Sequence, residues 1–304
     1  MNAYNFMGWK NFATILSASL VLLSIFSLST KHLNLGLDFT GGIVVELAYK
    51  NPVNLDQVRS TLAEAGYDDA VVQFFGKSTD IMVRLAPQEG KQAAVAKHIV
   101  EVLNVQQSDA IELKRVEFVG PQVGDELRDQ SGIALIVALI CMMIYVLVRF
   151  DFKFSVGAVA ALFHDVLITL GIFSFWQIPF DLTVLAAVLA VIGYSINDTI
   201  VVFDRIRENF RLMRKSEPVD VFNEALTQTL GRTTITSGTT LLVVIALYVF
   251  GGELIHGFSL ALLIGITVGT YSSIFVASSI GLSMGITKEH FIDNVDAEVV
   301  DDRP

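Results

Sequence analysis

Residues 191–209, VIGYSINDTIVVFDRIREN, begin as a membrane helix and then place Asn197 and Asp198 inside an apolar run that closes only at Asp204, Arg205 and Arg207. A charged side chain at the centre of a membrane helix costs about 3 kcal/mol on insertion scales, so it is expected to face a bundle interior or a wet cavity and to have a partner there. The stretch therefore predicts a polytopic helical membrane protein organised around an interior carboxylate. Composition agrees, since 53% of the 304 residues are hydrophobic and 17% charged. The mean hydropathy is +0.58, well above that of an ordinary soluble domain.

Working outward, six segments reach the roughly 20 residues that a crossing needs: about 11–29, 131–149, 154–175, 182–203, 233–250 and 257–284. The first ends in SLST, which is not a small-x-small cleavage site, and is read as a retained anchor. Lys and Arg cluster at Arg149 and Lys153 and again at Arg205, Arg207, Arg211, Arg214 and Lys215, whereas QIPFD (177–181) and GGELIHG (251–257) contain none. That asymmetry puts both termini and the linker 204–231 on the cytoplasmic side and the segment 31–130 outside. The expected organisation is a first transmembrane helix (1–30), an external domain (31–130), a five-helix transmembrane bundle (131–285) and an acidic cytoplasmic tail (286–304).

The external segment reads as a small α+β unit. IVVELAY (43–49), AVVQFFG (70–76), DIMVRLA (80–86) and AIELKRVEFVG (110–120) are strand-like, with a hairpin turn expected at KST. LDQVRSTLAEAG (55–66) and EGKQAAVAKHIVEVLN (89–104) have helical spacing. The order βαββαβ predicts a ferredoxin-like domain between the first and second spans.

Charge and motifs exclude several function classes. The net charge is −10, and no basic face offers itself to nucleic acid. One cysteine, Cys141, allows no intrachain disulfide, and the five histidines show no metal-ligand spacing. No GxxxxGK[ST] loop is present, so the chain is read as a non-enzyme without ATPase activity, cofactor or metal.

Arg232 opens the hydroxyl-rich GRTTITSGTTLLV (231–243) in the fifth span, at about the depth of Asp198, and is the expected ion-pair partner. His164 and Asp165 lie half-way along the third span; they are either a second relay carboxylate with its neighbour or, as expected here, interhelical glue. Gly265, Gly269, Ser273, Ala277 and Gly281 put a small residue at every fourth position of the sixth span and predict close packing. GLDFTGG (36–42), with Gly36, Asp38, Gly41 and Gly42, lies where the first span meets the external sheet.

Together GLDFTGG, HDVLITLG, VIGYSINDTIVVFDRIRENFR and GRTTITSGTTLLV closely resemble the SecF family over about residues 1–290. That family is the smaller membrane subunit of the bacterial SecD–SecF complex, within the resistance-nodulation-division superfamily. The resemblance implies an inner-membrane protein with a periplasmic external domain. It further implies a gradient of H+ or Na+ used to promote late translocation of an unfolded polypeptide through SecYEG. SecD and SecYEG are then the expected partners in the lipid bilayer, with YajC and YidC as further candidates. Asp198 and Arg232 take the family's ion-coupling positions, a further carboxylate coming from SecD. Small-molecule efflux is the rival within the superfamily, but about 100 external residues leave little room for the ≈ 300 Å³ or more of a ligand pocket. An intramembrane aspartyl protease would need two carboxylates sharing one site, and neither NDT nor HDV resembles the motifs of that family.

Overall fold

A computed structural model of the protein describes residues 3–86, 92–105, 111–213 and 215–286. Four strands, β1 (Gly42–Ala48), β2 (Val71–Phe75), β3 (Lys77–Leu85) and β4 (Glu112–Val119), form one antiparallel sheet in the order β2-β3-β1-β4. With the helices α3 (Leu55–Glu64) and α4 (Gln92–Val105) the order is βαββαβ, as expected. Asn54 starts α3 by accepting the Asp56 N–H, the usual work of an N-cap side chain. Alternation along the strands turns Ile43, Val45, Leu47, Ile81, Val83 and Leu85 toward the helices, where they pack with Val58, Leu62 and Ile99. The β2–β3 turn differs from expectation: it closes at Gly76, with φ +79, and KST belongs to β3. Gly alone adopts that conformation without steric cost, so the chain reverses one residue earlier than the polar cluster suggests.

The opposite face of the sheet carries Val44, Glu46, Arg84 and Arg115 and roofs a cleft of about 280 Å³ over Ile178, Pro179 and His256. Burial there raises the Glu46 carboxyl above its ordinary value; Arg115 opposes the shift in part and Glu117 adds to it. Folded protein therefore holds a proton on Glu46 at pH values where the unfolded chain has lost it. This contribution is greatest below the ordinary Glu range and is lost as pH rises through the raised folded value. Glu46→Gln is expected to stabilise the protein at neutral pH and to flatten the slope of thermal midpoint against pH. A variant with an unchanged slope would contradict this.

Among the described residues, six helices are long and apolar enough to cross a membrane: α1 (Lys10–Thr30, preceded by one 3-10 turn), α5 (Pro121–Arg149), α6 (Phe152–Trp176), α7 (Leu182–Leu212), α8 (Pro218–Phe250), and α9 (His256–Ser272) continued through a π-helical turn (Ser273–Ala277) into α10 (Ser278–Ser283). The short α2 (Leu37–Thr40) lies between α1 and β1. Several helices outrun their apolar cores. Pro121 and Pro218 occupy first-turn positions, where a missing N–H has no cost. α5 thus begins ten residues before its apolar run, and all but a few residues of the 204–231 linker are helical. Hydropathy marks a membrane core rather than a helix end. Beyond Ile286 the acidic tail lies outside the described residues.

α6 and α7 are the most enclosed helices, while α5 exposes nearly its whole apolar length, including Ile133, Ile136 and Val148. The small residues of the sixth span lie against neighbouring helices, as expected: Gly265 meets Val191 of α7, Gly269 meets Ser195, and the Ala277 carbonyl meets Gly157 of α6.

Candidate functional site

The buried side of α7 runs through Val184, Val188, Val191, Ser195, Ile196, Asp198, Thr199 and Val202, so the helical repeat itself aims Asp198 inward. Asp198 is 4% exposed and stands 14 residues before the end of α7. Measured from Asp204, where the apolar run closes, it lies about 9 Å inside at 1.5 Å of rise per residue, and its burial turns the carboxylate into the bundle rather than toward that boundary. Its Oδ2 accepts the Ser237 hydroxyl of α8 at 3.3 Å. Ser237 Oγ in turn accepts from Thr270 Oγ1 of α9 at 2.8 Å. One turn earlier Tyr194 donates to Thr240 of α8, and among the described residues the buried Thr233 hydroxyl finds no partner.

Arg232 is exposed and, among the described residues, forms no ion pair with Asp198. The expected direct pair is thus replaced by a serine contact. The reason is angular: Thr233 and Ser237 are buried on α8, and Arg232 is turned about 100° from Thr233. Asn197, adjacent to Asp198, is exposed as well. Asn197 and Arg232 both lie outside the protein core, while Asp198 lies within it.

A second carboxylate sits deeper. Asp165 is 1% exposed and collects three groups from three helices: His164 Nδ1 of α6 at 2.9 Å, Ser195 Oγ of α7 at 2.5 Å and Ser272 Oγ of α9 at 2.8 Å. His164, itself 5% exposed, turns its ring toward Tyr271 of α9, with centroids 6.2 Å apart. The Tyr271 hydroxyl donates to the Ala13 carbonyl and contacts Ser17 of α1. α7 and α9 each contribute to both clusters, through Ser195 with Asp198 and through Ser272 with Thr270. Sequence reading missed Ser195 and Ser272. The available signal was spacing: Ser195 precedes Asp198 by three residues and so shares its face, but serines in a small-residue ridge read first as packing.

GLDFTGG ties the junction of the first span and the sheet to the start of α7. The Asp38 carboxylate accepts the Leu182 N–H at 3.0 Å, and Asp181 accepts the Val184 N–H at 2.9 Å. Two of the free amides at the start of α7 are thereby satisfied, one by its own cap and one by the junction. Gly36 N–H donates to the Phe180 carbonyl and Phe180 N–H to that of Asn34, each at 2.8 Å, while Phe39 stacks on Phe180. Gly41 and Gly42, at φ +64 and +123, then turn the chain into β1 in conformations that favour glycine. Gly124 of α5 lies against the Gly41 backbone. Asp38→Ala is expected to lower stability by about 1 kcal/mol, the usual effect of losing a cap, and Asp38→Asn by less because an acceptor remains. Equal thermal midpoints for Ala and wild type would show that the contact contributes nothing.

Among the described residues no group of three His, Cys, Asp or Glu side chains could hold a metal ion. The chemistry available is the loading and release of a small cation at a buried carboxylate. Residues 99–287 match the family described as protein export membrane protein SecD/SecF, C-terminal, and residues 26–53 match the SecD/SecF GG motif. The chain is 54% identical over 288 residues to the protein translocase subunit SecF of Vibrio alginolyticus, covering 94% of this chain and 91% of that one. It is 49% identical over 306 residues to the Pseudomonas aeruginosa subunit of the same name, covering 99% and 97%. The crystal structure of SecDF from Thermus thermophilus, a translocon-associated membrane protein, superposes with a TM-score of 0.84 at 36% identity, covering 93% of this chain and 38% of that longer one. The super-membrane-facing form of SecDF gives a TM-score of 0.69, covering 93% and 39%.

Proposed function

Because this chain belongs to the SecD/SecF family of protein export membrane proteins, we propose that it works as the SecF-type half of a complex with SecD, promoting late protein translocation through SecYEG with a transmembrane ion gradient. A multi-pass membrane protein with a role in protein translocation is the common ground of its relatives. Beyond that, the reading places it in the bacterial inner membrane, both termini in the cytoplasm and the sheet domain in the periplasm. It acts by transport rather than catalysis, with YajC and YidC as further neighbours.

The observation that carries the ion step is Asp198, buried, bonded to one hydroxyl and, among the described residues, without a counter-charge in contact. A buried carboxylate in that state is unstable as an anion unless a cation loads it or a positive group moves in. Arg232 and a SecD carboxylate complete the site when the exposed face of α8 meets its partner. Loading by H+ or Na+ neutralises Asp198 and changes the packing of α7 against α8 and α9. The tie between Asp38 and the start of α7 passes that change to β1. One charge crossing the membrane gains about 2.3 kcal/mol per 100 mV, and at about 1.4 kcal/mol per tenfold it biases a two-state element roughly fortyfold.

The test is export of a secreted reporter in cells depleted of the native protein and supplied with this chain. Restored export that drops when the proton gradient is collapsed, or when sodium is withdrawn, supports the reading and identifies the ion. A chain that accumulates and binds SecD but does not restore export would sink it.

A further inference from the structure

We propose that His164 is a second proton-accepting group of the bundle, held in its accepting form by Asp165; the inference rests on the ion-coupling reading and adds a residue to it.

With Asp165 ionised its oxygen can only accept, and the 2.9 Å contact between His164 Nδ1 and Asp165 Oδ1 then puts the hydrogen on Nδ1. A neutral imidazole carries one N–H, and Nε2 is left with its lone pair. No group among the described residues meets Nε2, although it is buried. Native interiors rarely leave a polar atom in that state, and exceptions call for an explanation such as a chemical role. Ser195 and Ser272 meanwhile fix the other carboxylate oxygen, so the ring cannot turn over without breaking a network that spans α6, α7 and α9. A proton arriving at Nε2 forms one N–H bond and yields an imidazolium already bonded to, and balanced by, Asp165. It leaves by the same bond.

The groups around the ring are consistent with this role. α9 presents the Tyr271 phenol, whose O–H is committed to the Ala13 carbonyl. α1 presents the Ser17 hydroxyl, bonded to that phenol. α7 presents Ser195 and, three residues on, Asp198. The buried residues of α5 are Gly124 and Val146, which bear no charge. Beside Asp165, the ionisable group that these helices set against the ring is therefore Tyr271, with Asp198 further along the buried face of α7. The rival role is a structural pin, in which the ring serves only to donate to Asp165. His164→Asn separates the two, because its amide N–H replaces the Nδ1 donor while no basic nitrogen remains.

The experiment uses the full chain with SecD in lipid vesicles, with 15N-labelled histidine and magnetic resonance spectra, the His164 signal being assigned from its loss in His164→Asn. The hydrogen is expected on Nδ1, with Nε2 giving the signal of a bare ring nitrogen. In cells, His164→Asn is expected to lose gradient-stimulated export by about tenfold, with abundance and SecD association unchanged. Normal export by His164→Asn, or a hydrogen on Nε2 rather than Nδ1, overturns the proposal. Normal export by Asp198→Asn beside a bare His164 Nε2 and an inactive His164→Asn would remove Asp198 from the ion path and leave His164 in it.

Discussion

Asp198→Asn is expected to reduce export to its gradient-independent level in a protein that still accumulates and still binds SecD. The substitution keeps the shape of the side chain and an acceptor for Ser237, so the contact at 3.3 Å can persist. What it removes is the charge, and with it the roughly 2.3 kcal/mol per 100 mV that a coupled ion supplies. Stability should change little, since burying a neutral amide costs less than burying an unpaired anion. The decisive comparison is between reporter export and mutant abundance, each measured with SecD pull-down from the same cells. Normal export would mean that Asp198 only packs α7 against α8, and that the ion passes elsewhere.

Gly42→Ala is expected to be the most damaging substitution in the sheet domain. A Cβ there would collide with the Leu85 carbonyl, at φ +123. Backbone strain of about 1–3 kcal/mol then adds to about 1–3 kcal/mol of overpacking. Gly66→Ala is a matched control, because φ is +90 but nothing lies within 4 Å of its Cβ. Limited proteolysis should show the sheet domain of Gly42→Ala cut while the helical bundle resists, and Gly66→Ala, which carries the backbone strain without the collision, should be cut more slowly than Gly42→Ala. Equal resistance of the two variants would mean that the root of β1 tolerates the shift.

The six spans and the βαββαβ order were legible because both rest on local periodicity, apolar runs for the helices and alternation for the strands. Helix ends were not, since residues 121–130 and most of 204–217 are polar yet helical, and polarity tracks the surroundings rather than the backbone. Asp198 was legible as an interior group for the same reason that it is costly. Its contact was not: adjacent positions on α8 point about 100° apart, so depth alone favoured Arg232 when the buried face held Ser237. The three-helix embrace of Asp165 was illegible because Ser195, Ser272 and His164 are far apart in sequence and only the packing of small residues unites them. The expected role of that pair, interhelical glue, describes Asp165 well and leaves the free nitrogen of His164 unexplained.

The sheet domain is anchored to the bundle along one edge. The strands that enter and leave it, β1 and β4, are neighbours, and Gly42 pairs with Val119 at their common root. α2 supports the first, and α5 begins two residues after the second. Both attachments are therefore about one strand spacing apart, roughly 4.8 Å, while β1 extends about 23 Å beyond them. The domain is a cantilever. A shift of one attachment relative to the other is magnified roughly fivefold at the far end by that ratio of lengths, and the cleft beneath the sheet gives it clearance. Ångström-scale shifts of α7 would thus become movements large enough to be felt by a polypeptide chain several residues long.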